Sequence, residues 1–396
     1  MCRGHFSMVS GNIRKESNTV TVPVTSNRLP PRDYIILPLL SLCTVVLMLG
    51  ASEIAARLIW PVRDFDACLV YNPAVGGRFR PNCTSITKNA ESGWVVNKYN
   101  ECGYRSAAPC GVRPHGVLRV VVLGSSFTQG DFVPYSETFA AQASKKLTAI
   151  CGHSVEFQNL GVQGATPLDV SRRVDEIIRL RPDAVIYPIA PYDLETMPAS
   201  HQDRAPVSAA PVGYTALLKT MYVRVGQRIR ESRTVFVAQH YMFENPSLYV
   251  KLFLVYGDKA DFLRQPFTPA WQNRFHVFDT LVGNMSSSFR AAHIPFVITA
   301  APSRSLAAML DDNVLPAHVY PNAFATAIAH IAVKNSIQYI DLMGPFSRIR
   351  NASSLFFPVD GHLKGDGQAV VSDAIVRKLL DDTFPGMQEC TEKGER

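Results

Sequence analysis

From Leu118 onward, short apolar runs alternate with segments of helical pattern, and this alternation restricts the fold more than any other feature of the 396 residues. LRVVVLG (118–124), SVEFQNLG (154–161), AVIYPIA (184–190), IPFVITAAP (294–302) and IQYIDLM (337–343) read as strands. Runs this apolar suit strands covered on both faces. Helices are predicted over 136–150 with Ser136 as its cap, over 167–181 with Pro167 at its start, over 268–293, over 321–336 and over 365–382. The pattern predicts an α/β fold: a three-layer α/β/α sandwich around a mainly parallel, five-stranded, flavodoxin-like sheet, spanning 117–385. Residues 200–290 interrupt it as an insertion. This holds a loop (200–213), a helix candidate (216–232) and an aromatic-rich stretch from Phe236 to Trp271.

The N-terminal part has a different texture. Residues 1–33 are polar and carry Arg3, Arg14, Lys15, Arg28 and Arg32. Tyr34 to Ala51 then run 18 residues without a charge. As a helix this is about 27 Å, close to the thickness of a bilayer's hydrocarbon core. The helix can continue through the i,i+4 pair Glu53 and Arg57 to Trp60, an interfacial residue, before Pro61 stops it. A signal anchor over 34–60 is expected, with the N-terminus in the cytoplasm because positive charge lies before the span. A cleaved signal peptide fits less well, since its polar leader would be unusually long.

Export agrees with the cysteines. Six lie beyond the span: Cys68, Cys83, Cys102, Cys110, Cys151 and Cys390. An even number in an oxidising compartment suggests disulfides, with Cys102–Cys110 a local bridge. Residues 61–116, rich in Gly, Pro, Asn and Cys, read as a collar of loops and short strands. A C-terminal tail is expected from 386 to 396. The net charge is +7, but the basic residues are scattered and no zinc-knuckle or aromatic-basic motif occurs, so no nucleic-acid partner is expected. No metal-binding motif or cofactor loop is present either, and neither a metal nor a cofactor is expected.

In such a sheet, ligands bind beyond the carboxyl ends of the strands. The segments there are GSSFTQG after the first strand, GVQGATPLD after the second and PYDL after the third, with FPVDGHLKGDG before the last helix. Gly124 to Gly130 has neither the spacing nor the lysine of a phosphate loop, and Thr128 breaks a G-x-S-x-G elbow. A serine becomes a nucleophile when a histidine takes its proton and a carboxylate orients that histidine. Among the ten histidines, His362 stands apart: it follows Asp360 by two residues, on a loop before the closing helix.

These segments resemble the SGNH (GDSL) hydrolases, in their membrane-anchored exported branch. The first block of that family is similar to Gly124-Ser125-Ser126-Phe127-Thr128 and the second to Asn159 through Gly164. The third is similar to Ala190-Pro191-Tyr192-Asp193, and the last to Asp360-Gly361-His362. The stretch from Tyr71 to Arg105 also looks like the leader of that branch. The resemblance implies Ser126 as nucleophile, His362 as general base and acid, and Asp360 as its orienting carboxylate. It implies an oxyanion hole made by the backbone N–H groups of Ser126 and Gly164. Two positions depart from the family: Ser125 replaces an aspartate, and Tyr192 replaces the asparagine that donates to the oxyanion. Tyr192 reaches the oxyanion only if its hydroxyl substitutes for the amide. The implied activity is that of a serine esterase or deacylase acting on an acylated small molecule, lipid or glycan outside the cytoplasmic membrane, in the periplasm. The alternatives are an O-acyltransferase that modifies a surface polysaccharide with help from an acyl-donor membrane protein, and a non-catalytic glycan-binding protein.

Overall fold

Most of the apolar runs become strands buried along nearly their whole length, and only the short last one is partly exposed. In the computed structural model, which describes residues 30–72, 74–197, 231–255, 257–312, 315, 317–380, 384, 387 and 390, five parallel strands form one sheet in the order β6-β5-β7-β8-β9. They are β5 (Leu118–Val122), β6 (Val155–Asn159), β7 (Ala184–Ile189), β8 (Phe296–Ala300) and β9 (Gln338–Tyr339). Alternate residues of each strand face opposite layers. Val121, Val185, Tyr187 and Ile298 join one apolar cluster with Phe278, Val282 and Phe289. Val120, Val122, Ile186 and Val297 join another with Phe139, Leu147, Val371 and Ile375. This is the expected three-layer sandwich.

The chain divides into two units, Met1–Ser52 and Glu53–Arg396. Helix α1 (Asp33–Ile59) begins in the first. It is long and apolar enough to cross a membrane, and its most apolar 18-residue window has a mean hydropathy of 2.3 and is not buried inside the protein. The remaining elements belong to the second unit. Ahead of the sheet come two antiparallel pairs, β1 (Leu69–Asn72) with β2 (Gly76–Phe79) and β3 (Thr84–Thr87) with β4 (Val95–Lys98). The Cys68–Cys83 disulfide joins the two pairs, and the rings of Phe79 and Tyr99 stack at 4.1 Å. Cys102–Cys110 is bridged as the spacing suggests, and Cys151 pairs with Cys390.

Several elements differ from the sequence reading. The helix expected over 136–150 begins one turn later, as α3 (Phe139–Cys151), which follows the short helix α2 (Ser126–Gln129). Its cap is Thr138, whose hydroxyl accepts from the Ala141 N–H, whereas Ser136 lies in a preceding 3₁₀ turn. The helix expected over 167–181 is split into α4 (Pro167–Ser171) and α5 (Val174–Arg179). The break falls where the buried Arg173 donates to the Leu160 carbonyl and to Glu176. The last strand is only two residues long, because Asp341 turns the chain by accepting from the Met343 and Gly344 N–H groups.

The interrupted region is also smaller than read. After α6 (Pro191–Glu195), the described residues resume with α7 (Arg233–Phe243) and α8 (Pro246–Val255). The next helix, α9 (Pro269–Ala291), already belongs to the sandwich, since Phe278 and Met285 are buried in its core. The candidate helix over 216–232 lies, except for its last two residues, outside the described residues. At the other end, α10 (Arg304–Asp312), α11 (Ala323–Lys334), α12 (Met343–Ser347) and α13 (Gly365–Leu379) complete the layers. Met387 and Cys390 are buried within them, so the fold reaches past 385 into the stretch read as a tail.

Candidate active site

The strand order reverses direction between β5 and β7, and open α/β sheets bind ligands outside such a point. Ser126 opens the short helix directly after β5. The preceding turn needs Gly124: its φ is +142°, and a Cβ there would sit 2.2 Å from Thr128 Oγ1. The Thr128 hydroxyl donates to the Leu123 carbonyl at 2.8 Å and closes the turn. From the opposite end of the chain, Asp360 and His362 arrive on the loop ahead of α13. That loop is pinned by the Phe357 N–H donating to the His362 carbonyl at 2.9 Å and by a bridge between Phe356 and Leu363.

The three side chains singled out by the sequence meet. His362 Nε2 lies 2.8 Å from Ser126 Oγ, and His362 Nδ1 lies 2.6 Å from Asp360 Oδ1. The same carboxylate oxygen accepts the His362 backbone N–H at 3.1 Å. A carboxylate only accepts, so Nδ1 carries a proton and Nε2 is the nitrogen that exchanges one with Ser126. The edge of Phe132 closes one side of the imidazole, with ring centroids 5.9 Å apart.

The electrostatics favour a charged imidazole. Burial opposes the charge, but Asp360, through its field and its hydrogen bond, together with the fields of Asp131 and Asp193, overcomes this and raises His362 to about 9. For Asp360, burial acts upward, and the charge and hydrogen bonds of His362 outweigh it and hold the carboxyl below its usual range. Burial dominates at the other two carboxyls. It pushes Asp131 up to about 6 against the pull of His362 and Arg105. It also pushes Asp193 up to about 6 against hydrogen bonds from Ser125 and the Ala190 N–H.

The departures noted in the sequence take definite places. Ser125 is buried and hydrogen-bonds Asp193, so it spends its hydroxyl supporting the neighbouring loop. Tyr192 stands in the first turn of α6 with 64% of its surface exposed. Its hydroxyl makes no hydrogen bond to Ser126 or His362. Gly164 lies in the loop after β6, and three hydrogen bonds shape that loop and hold it against the serine turn. Asn159 Nδ2 donates to the Thr128 carbonyl at 2.7 Å, the Gly161 N–H donates to Asn159 Oδ1 at 2.9 Å, and the Gln163 N–H donates to Gln129 Oε1 at 2.8 Å.

Gly161 is where the two loops touch. A Cβ on it would lie 2.3 Å from the Gln129 nitrogen and 2.7 Å from the Thr128 carbonyl carbon. Those are backbone atoms, which cannot swing aside. Gly161→Ala should therefore destabilise the protein by about 1–3 kcal/mol as an overpacking change. It should also push the turn bearing Ser126 out of place. A thermal melt of the variant at wild-type stability would contradict this.

Sequence reasoning missed Arg105, Asp131 and Glu91. Arg105 is buried and donates to the carbonyls of Gln129, Gly130 and Val133, at 2.7–2.8 Å, so it holds the chain that leaves the serine turn. Asp131 is buried with its Oδ2 lacking a hydrogen-bond partner. Glu91 approaches the loop of Asp360. No local pattern marks these residues, because each acts on a segment distant in sequence.

No family model matches the sequence, and no curated protein matches it. Solved structures do resemble it. An acetylxylan esterase, Axe2 from Geobacillus stearothermophilus, is 12% identical over 66% of this chain and 94% of its own, with a TM-score of 0.39. LAE5, an alpha/beta hydrolase enzyme from the metagenome of Lake Arreo, is 14% identical over 66% and 94%, with a TM-score of 0.36. A protein described as lipolytic and of the G-D-S-L family, from Desulfitobacterium hafniense, is 12% identical over 65% and 98%, with a TM-score of 0.32. At such identities and scores, the chemistry has to be argued from this chain's own residues.

Proposed function

We propose that this chain is a serine esterase of the SGNH type. The observation that carries the reading is the unbroken contact from Asp360 through His362 to Ser126. In the proposed reaction, Ser126 Oγ attacks the carbonyl carbon of an ester while His362 Nε2 takes its proton. The oxyanion is met by the backbone N–H groups of Ser126 and Gly164. When the intermediate collapses, the ester C–O bond breaks and His362 returns the proton to the departing alcohol. A water, deprotonated by the same nitrogen, then releases the acid and regenerates Ser126. Asp360 keeps Nδ1–H in place and steadies the imidazolium throughout.

The substrate class is an acyl ester of a small molecule, lipid or glycan. The enzyme works outside the cytoplasm, anchored by α1 with the N-terminus inside. Three disulfides beyond the apolar helix support an oxidising location.

The test is labelling of the full chain in detergent with a fluorophosphonate probe, which reacts only with an activated serine. Wild type should label and Ser126→Ala should not. A folded wild type that stays unlabelled would sink the esterase reading and put the non-catalytic glycan-binding reading first. Labelling together with acyl transfer to an added sugar in preference to water would instead favour a transferase.

A further inference from the structure

The tip of the β3–β4 hairpin carries a carboxylate into the loop that bears Asp360 and His362. Glu91 sits in a turn fixed by Asn89, whose Oδ1 accepts the N–H groups of Glu91 at 2.8 Å and Ser92 at 2.6 Å. The Glu91 side chain is 2% exposed. Its Oε1 accepts the Val359 N–H at 3.0 Å and its Oε2 accepts the Asp360 N–H at 3.0 Å. On its other side, Oε1 lies 2.7 Å from His240 Nδ1, on α7. The positive charge of the buried Arg304 also faces it.

We infer that Glu91 is a positioning residue for the catalytic loop, and that it ties this loop to α7. The inference rests on the esterase reading of Ser126, Asp360 and His362. The physical reason is geometric. The Asp360 side chain can aim at His362 Nδ1 only if its own backbone is held, and the loop's N–H groups at 359 and 360 are taken up by Glu91. A burial of this kind costs desolvation, which charge-assisted hydrogen bonds to two amides and His240 offset. Without the carboxylate, the two amides lose their acceptor, the loop relaxes, and Asp360 drifts from the imidazole. Glu91 touches no reacting atom, so its effect must pass through His362.

Glu91→Gln keeps the shape but puts an amide NH₂ where one carboxylate oxygen accepts. Two readouts on the full chain in detergent test the inference. Hydrolysis of p-nitrophenyl acetate should lose kcat by about 10²-fold with KM unchanged, the size expected of a misplacement near 1 Å. The low-field proton resonance of His362 Nδ1–H, assigned by its loss in His362→Ala, should shift or broaden in Glu91→Gln. Wild-type kcat and an unmoved resonance would overturn the inference. The resonance needs no turnover. A wild type inactive toward the ester and toward a fluorophosphonate would therefore remove the esterase reading, and the Glu91 effect would still be read from the resonance. If Glu91→Gln fails to fold, Glu91→Asp takes its place, keeping the charge but withdrawing it by one methylene. A loss of kcat at constant KM in that variant supports the inference, and an unchanged kcat overturns it.

Discussion

Replacing His362 with alanine should lower kcat for p-nitrophenyl acetate by about 10⁴- to 10⁶-fold and leave KM within a few-fold. Among the described residues, the histidine is the group within hydrogen-bond distance of Ser126 Oγ that can take its proton, at 2.8 Å from Nε2. Its work is done in the transition state, so the loss should fall on kcat. Ser126→Ala should be about as damaging, and the double variant little worse than either single one, because the two side chains act as a unit. A loss below about tenfold in His362→Ala would mean another group accepts the proton.

The second large effect is on pH. His362 must be neutral at Nε2 to accept the serine proton, yet its surroundings raise it to about 9. Below that value most of the free protein holds an imidazolium. The rate of fluorophosphonate labelling should therefore rise by about tenfold per pH unit from pH 6 to pH 8 and level off above pH 9, as for one proton on one essential base. Asp131→Asn should move this limb to lower pH, since it removes one of the carboxylates that hold the proton on His362. A profile already flat at pH 7 would contradict the charge argument while leaving the contact geometry intact. Folding stability runs the opposite way. A histidine whose pKa is raised on folding stabilises the folded state fully below its unfolded value of about 6.5, and that contribution is lost as pH rises through the folded value. Activity should thus increase over the range in which this part of the stability declines.

Some of this was legible in the chain itself. The mostly apolar runs at 118–122, 184–189 and 296–300 carry enough signal to define a buried parallel sheet, and 155–159 joins them although its Glu156, Gln158 and Asn159 are polar. The uncharged stretch after Tyr34 defined a helix long enough for a membrane for a similar reason: length and composition alone decide it. Ser126, Asp360 and His362 could be picked out because each follows a strand or precedes a helix, at the rim where a parallel sheet collects its loops. Cys102–Cys110 was visible because the two lie eight positions apart.

The rest depended on contacts between distant segments. Thr138 rather than Ser136 caps α3 because of the 3₁₀ turn ahead of it, and periodicity does not resolve a shift of one turn. The partition of α4 from α5 follows from Arg173 reaching the Leu160 carbonyl, a tertiary bond. Gly161 reads as an ordinary loop glycine until the backbone of Thr128 and Gln129 is found against it. Arg105 and Glu91 lie 21 residues before and 269 residues before the groups they support, Ser126 and Asp360. Sequence by itself determined the layers, the long apolar helix and which side chains were candidates for the site, since those follow from local hydrophobic pattern and residue chemistry. Only the tertiary structure decided how the reactive groups are aimed and charged. Hydrogen-bond direction and burial belong to pairs of residues that folding brings together.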